Sequence, residues 1–148
     1  MEHITMSKTI TIKAGDAVCR AELFDDAAPA TAAALRAALP ISDRTIQVRW
    51  SGNAWRTEGN YELQPVDAPI ENVAEKLNAG DIIYYPGYSS GNVKVGIAYG
   101  DAQWLAPFRE PVDVCKVGRI VEGLDEFVAA SKRIIFDGPL AIEITAES

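Results

Sequence analysis

Histidine, cysteine and long apolar runs are all scarce in this chain. His3 is the only histidine, and its place near the terminus argues against a histidine base, a Ser–His pair or a zinc centre. Cys19 and Cys115 are the only cysteines. They lie far apart, each among strand-like residues (VCRAELF and VDVCKVG), so no disulfide framework is expected and both read as buried free thiols of a reducing cytoplasm. No stretch approaches the ~20 apolar residues of a membrane span. The opening MEHITMSKTITIKAG has no basic start followed by an apolar run, so no secretory signal is expected and the cytoplasm is the expected location. Positive charge is also short: 14 Lys and Arg against 21 Asp and Glu leave a net charge of -7 and a pI near 4.7. That balance excludes a basic nucleic-acid face and an anionic-membrane face.

What remains is an ordinary globular composition, 48% hydrophobic and 24% charged over 148 residues. It fits one domain with a core large enough to fold without staples. Residues 1–7 read as a flexible N-terminus and residues 8–146 as the domain. Residues 8–14 alternate with Ile10 and Ile12 on one face, and residues 17–24 alternate with Cys19, Ala21 and Leu23 inward, so the two form a hairpin around Gly15-Asp16. The period then changes. Pro29 suits a first helical position, Ala28, Ala32, Leu35 and Leu39 form a stripe, and Pro40 stops the helix. Residues 45–50 alternate again, which predicts Ile46, Val48 and Trp50 inward and Arg49 outward. Residues 51–80 read as irregular apart from a short helix at 71–77. Segments 81–85 and 93–99 form a second hairpin, 112–121 a long strand broken near Gly118, and 124–133 a second helix with Leu124, Phe127, Val128 and Ser131 on its buried face. Residues 134–136 and 140–145 complete the pattern as strands. Many short strands and two helices predict a mainly β fold: a closed antiparallel eight-stranded barrel with two capping α-helices.

Two segments carry a family resemblance. AELFDDAAPATAAALRAAL (21–39) resembles the second strand and first helix of cyclophilins, and VGRIVEGLDEFVAA (117–130) resembles their late strand and second helix. Trp50-Ser51-Gly52, Glu71-Asn72, the run Gly80–Pro86 and Tyr99-Gly100 are similar to motifs of small bacterial cyclophilin-like proteins of unassigned function. The resemblance implies the same barrel. It does not carry the prolyl isomerase site across. Arg49 matches the arginine that hydrogen-bonds toward the prolyl nitrogen, but Gly96 stands where a phenylalanine wall is expected. Val114 stands at the histidine position, and the glutamine has no counterpart.

Aromatic residues are unevenly placed: all three Trp and all five Tyr lie between Trp50 and Trp104. Trp50, Trp55, Tyr84, Tyr99 and Trp104 are candidates either for the barrel core or for a ligand face, and Tyr88 for a hairpin tip. Glu71 and Asn72 offer a carboxylate and an amide to a ligand, or cap the helix expected after them. Arg49 is an anion donor or a cross-strand partner. The loop 86–92 lacks the Gly-Lys-Ser/Thr ending of a phosphate loop. The expected role is therefore a binding module for a small molecule or an extended peptide, with no cofactor and no metal. The alternatives are a diverged prolyl isomerase or small-molecule enzyme using Arg49 and Glu71, and a homo-oligomeric structural unit.

Overall fold

Strands β1 (Thr9–Ala14) and β2 (Ala17–Leu23) turn tightly on Gly15 and Asp16, with Ala14 opposite Ala17. Their alternation puts Ile10, Ile12, Cys19, Ala21 and Leu23 into the interior. This comes from a computed structural model, which describes residues 9–65, 67–87, 92–105 and 110–147. The N-terminus 1–7 with His3, and Tyr88, lie outside the described residues.

The chain continues through α1 (Pro29–Ala38), β3 (Ile41–Gln47), a 3-10 turn (Arg49–Ser51), β4 (Gly52–Thr57), two-residue strands β5 (Val73–Ala74) and β6 (Lys76–Leu77), β7 (Asp81–Tyr85), β8 (Lys94–Gln103), β9 (Val114–Glu122), α2 (Leu124–Lys132), α3 (Ile134–Asp137) and β10 (Ala141–Ala146). Every pairing is antiparallel. β2 pairs β1, then the ladder runs β10, β3, β4, β8, β7 and β9, and β9 returns to β2. Eight strands thus close a barrel, and closure leaves none of the eight with a free edge. β5 adds to β9 and β6 to β8.

The interior is filled by side chains of alternating register plus the apolar faces of both longer helices. Ala28, Ala32 and Leu35 enter it beside α1, and Phe127 enters from α2. α2 lies against β1, β2 and β8, α1 against β9. A second apolar cluster sits on the outside of the sheet and includes Val48, Ala54, Ile83, Ala98, Trp104 and Val114.

Five local expectations are corrected. β3 begins at Ile41 and its inward residues are Ile41 and Thr45, so Ile46 is not in the core set. Thr45 is tolerated inside because its Oγ1 accepts the Leu140 amide at 2.9 Å. The strand then gives way to a 3-10 turn, which leaves Arg49 and Trp50 exposed rather than on opposite strand faces. Residues 52–57, read as irregular, form β4 and carry the fully buried Trp55. Residues 71–77 form β5 and β6 instead of a helix. Residues 134–136 belong to the helical turn α3, which buries Ile134 and lays the Arg133 guanidinium 5.2 Å over the Phe136 ring.

Candidate functional site

The eight candidate residues divide among four surroundings. Trp55, Tyr84 and Tyr99 point into the barrel. Trp55 donates its indole N–H to Ser131 Oγ on α2 at 3.1 Å and tilts against Phe127 with ring centroids 5.9 Å apart. The Tyr84 hydroxyl accepts the Leu63 amide at 3.1 Å, and Gln47 donates its side-chain amide to the Tyr99 hydroxyl. These rings are core, with their polar tips satisfied as burial requires.

Glu71 and Asn72 sit at a seam between elements. The Glu71 carboxylate accepts the Thr31 amide at 2.7 Å, the Thr31 hydroxyl at 2.8 Å and the Ala30 amide at 3.2 Å. It therefore caps α1, whose own N-cap residue Ala28 has no side-chain acceptor. Burial alone would raise this carboxyl's pKa; the three hydrogen bonds outweigh it and hold the value below the ordinary one. Asn72, at φ 42°, donates its side-chain amide to the Lys116 carbonyl at 2.8 Å and fixes the start of β5 on β9. Glu71 and Tyr84 line one cleft with Thr31, Pro69, Ile70 and Cys115. Its volume of about 10 Å³ is room for a single water. None of Arg49, Trp50, Trp55, Asn72, Tyr99 and Trp104 lines that cleft.

Arg49 and Trp50 form the exposed turn, Trp50 with 46% of its surface free. The turn is anchored by Ser51, whose Oγ accepts the Leu105 amide at 2.9 Å. Gly52 follows at φ 109°, and a Cβ there would meet the Asp101 carbonyl at 2.9 Å. The Trp-Ser-Gly motif thus serves the β4–β8 crossing.

Trp104 occupies the fourth setting, the outer sheet face. Its ring lies on Gly96, where a Cβ would stand 2.7 Å from Cη2, and 6.3 Å from the Tyr85 ring. The place where the cyclophilin resemblance puts a phenylalanine is thus taken by the chain's own indole. Around it stand two residues that the sequence reading did not select. Arg56 on β4 is directly opposite Gly96, and Lys94 on β8 is directly opposite Tyr85. Lys94 is only 4% exposed. Its ammonium donates to the Glu58 carbonyl at 2.6 Å, and Arg56 donates Nη1 to the Thr57 carbonyl at 3.1 Å. Burial lowers the pKa of both; for Lys94 the nearby Arg56 charge adds to that, opposed by Asp43 and Glu58. A glycine in the middle of an apolar strand was the signal that could have located this face, because it marks a close approach.

Cys19 and Cys115 are free and buried, and burial pushes both thiols up to about 11. Among the described residues no three His, Cys, Asp or Glu side chains gather as metal ligands do, and no helix is long and apolar enough to cross a membrane.

Fold and site define a closed antiparallel eight-stranded barrel with helices packed on it and an apolar, aromatic-covered outer face. The sequence profile of the family "Protein of unknown function (DUF3830)" matches residues 10–146, and the chain belongs to that family. No curated protein matches the sequence. Solved structures that share the fold include two of particular use. The structure of McbB in complex with tryptophan superposes with a TM-score of 0.71 at 17% identity, over 94% of this chain and 45% of McbB. The hypothetical protein AF2241 from Archaeoglobus fulgidus gives 0.56 at 20% identity, over 99% of this chain and 100% of that one. This chain therefore spans about half the length of McbB.

Proposed function

We propose that the barrel is a cyclophilin-like binding module that holds a small molecule on its outer sheet face around Gly96, and that it is not a prolyl isomerase of ordinary activity. One observation carries the reading: the apolar cluster outside the barrel. A barrel needs apolar residues inside, whereas outward positions are free to be polar. Here Val48, Ala54, Ile83, Ala98 and Val114 face outward and are covered by Trp104 and Leu77, with Tyr85 half-buried at the margin. With the Trp104 indole moved aside, such a face suits an apolar ligand body bordered by a few polar groups. McbB is solved with tryptophan, a small molecule of that type, which supports a small-molecule reading over a long peptide.

Catalysis through Arg49 and Glu71 is the weaker reading, since Glu71 is engaged in capping α1 and Arg49 stands on an exposed turn. A second reading, association with another copy of the chain, draws on the adjacent Ile135 and Phe136 of α3, 49% and 71% exposed. The test is an amide chemical-shift map recorded with a small-molecule fragment set, beside an exchange assay on Xaa-Pro peptides. Shifts at Gly96, Ala98 and Trp104 without accelerated prolyl exchange are expected. Accelerated exchange that disappears in Arg49→Ala would overturn the reading.

A further inference from the structure

We infer that Arg56 and Lys94 form the anchor of this outer-face site and take the carboxylate of a small, flat, apolar acid. The inference rests on the outer-face reading above and specifies its ligand. In a chain with a net charge of -7, carboxylates are abundant, and the cations Arg20, Arg36, Arg44, Lys116, Arg119 and Arg133 each have one within 4 Å. Of the cations without one among the described residues, Lys13, Arg49, Lys76 and Lys132 are exposed and solvated. Among the described residues only Arg56, half-buried, and Lys94, buried, are withdrawn from water and lack a carboxylate within 4 Å.

Desolvating a cation without a counter-charge costs free energy, and adjacent like charges add to the cost. The β4–β8 register makes Arg56 and Lys94 diagonal neighbours, because Arg56 faces Gly96 and Lys94 lies two residues before it on the same face. Such neighbours are about 7–8 Å apart at Cα, within reach of long side chains. Among the described residues they donate to backbone carbonyls of residues 57–59. Asp43 and Glu58 act on Lys94 at longer range, but Asp43 is held by Tyr61 and the Gly59 amide, and Glu58 by Arg44. Neither acid is free to swing onto the pair. The guanidinium keeps donors in reserve, and its planar fork suits a carboxylate. Beside the pair Gly96 is covered by the buried Trp104 ring and Tyr85 is half-buried, so the body of the same ligand takes the place of the indole, which must move aside.

The test uses matched pairs of probes on the full chain: indole-3-acetate against indole-3-acetamide, and 3-phenylpropionate against 3-phenylpropionamide. Each is titrated while the Gly96 amide and Trp104 indole signals are followed. The acids are expected to bind about tenfold or more tighter than their amides, the size of a charge-assisted hydrogen bond. Arg56→Gln is expected to erase that preference and leave the amide's affinity in place, while Arg49→Gln leaves both unchanged. Equal binding of acid and amide, or a preference that survives in Arg56→Gln, would overturn the carboxylate anchor and leave the outer-face site standing. Absence of any shift at Gly96 and Trp104 with all four probes would overturn both. Arg56→Gln gives up a hydrogen bond to the backbone carbonyl of Thr57, and its folding is checked by an unchanged amide spectrum; Arg56→Lys, which retains charge but loses the fork, is the second variant and should keep part of the preference.

Discussion

The carboxylate of Glu71 reaches across the fold to the first turn of α1 and takes both the amide and the hydroxyl of Thr31, at 2.7 and 2.8 Å. A helix whose own N-cap is alanine is thereby capped from a distant loop. Glu71→Ala should destabilise the protein by about 1 kcal/mol, and up to about 2, the usual range for a lost cap. Thr31→Val should overlap with it rather than add. Urea unfolding of the two single variants and the double variant measures both effects.

Acid should weaken the fold through carboxylates whose folded pKa is lowered. Glu147 is held down to about 2 by the Arg20 guanidinium first, then by the Thr9 and Thr11 hydroxyls; Glu71 is also lowered. A lowered folded value means stability that is complete above the ordinary value of 4.5 and lost as pH falls toward about 2. Urea midpoints from about pH 6 to about pH 2.5 should fall monotonically, and Glu147→Gln should flatten the lower part of the curve.

Gly96 exists for Trp104. Gly96→Ala places a Cβ against the indole at 2.7 Å and against the Trp55 carbonyl at 3.0 Å, and should cost about 1–3 kcal/mol. In a Trp104→Ala background the same change should cost less, because only the backbone contact remains. A double-mutant cycle by chemical denaturation reads the difference.

Inside the barrel, Ser131→Ala leaves the Trp55 indole N–H buried without its acceptor and should cost about 1–3 kcal/mol. Arg49→Ala, on an exposed turn, should stay within about 0.5 kcal/mol of the parent. Thermal unfolding of the two variants side by side separates a core hydrogen bond from a solvated surface charge.

Where structure depends on neighbours in sequence, it was legible. β1, β2, α1, β7, β8, α2 and β10 follow from alternation, a helical stripe or a proline, and barrel closure followed from their number and order. The phase of β3 was not legible, because Thr45 faces inward on the strength of a hydrogen bond accepted from the amide of Leu140, just before β10 and distant in sequence. β4 was hidden by its glycine and polar residues although it carries Trp55. The candidate site was less legible still. Glu71 and Asn72 stand out in the sequence as a polar pair, but the helix that Glu71 caps is α1, far away in sequence, and not one that follows the pair. Arg56 drew no notice because what sets it apart, burial without a counter-charge opposite Gly96, is created only by strand pairing.

The three tryptophans report three places at once: Trp50 on the exposed turn, Trp55 in the barrel interior and Trp104 on the outer face. A ¹H–¹⁵N spectrum of their indole signals during titration with indole-3-acetate therefore locates the ligand directly. Movement of the Trp104 signal with Trp50 and Trp55 unmoved is the predicted result; movement of Trp55 or Trp50 alone, or of none, would contradict an outer-face site.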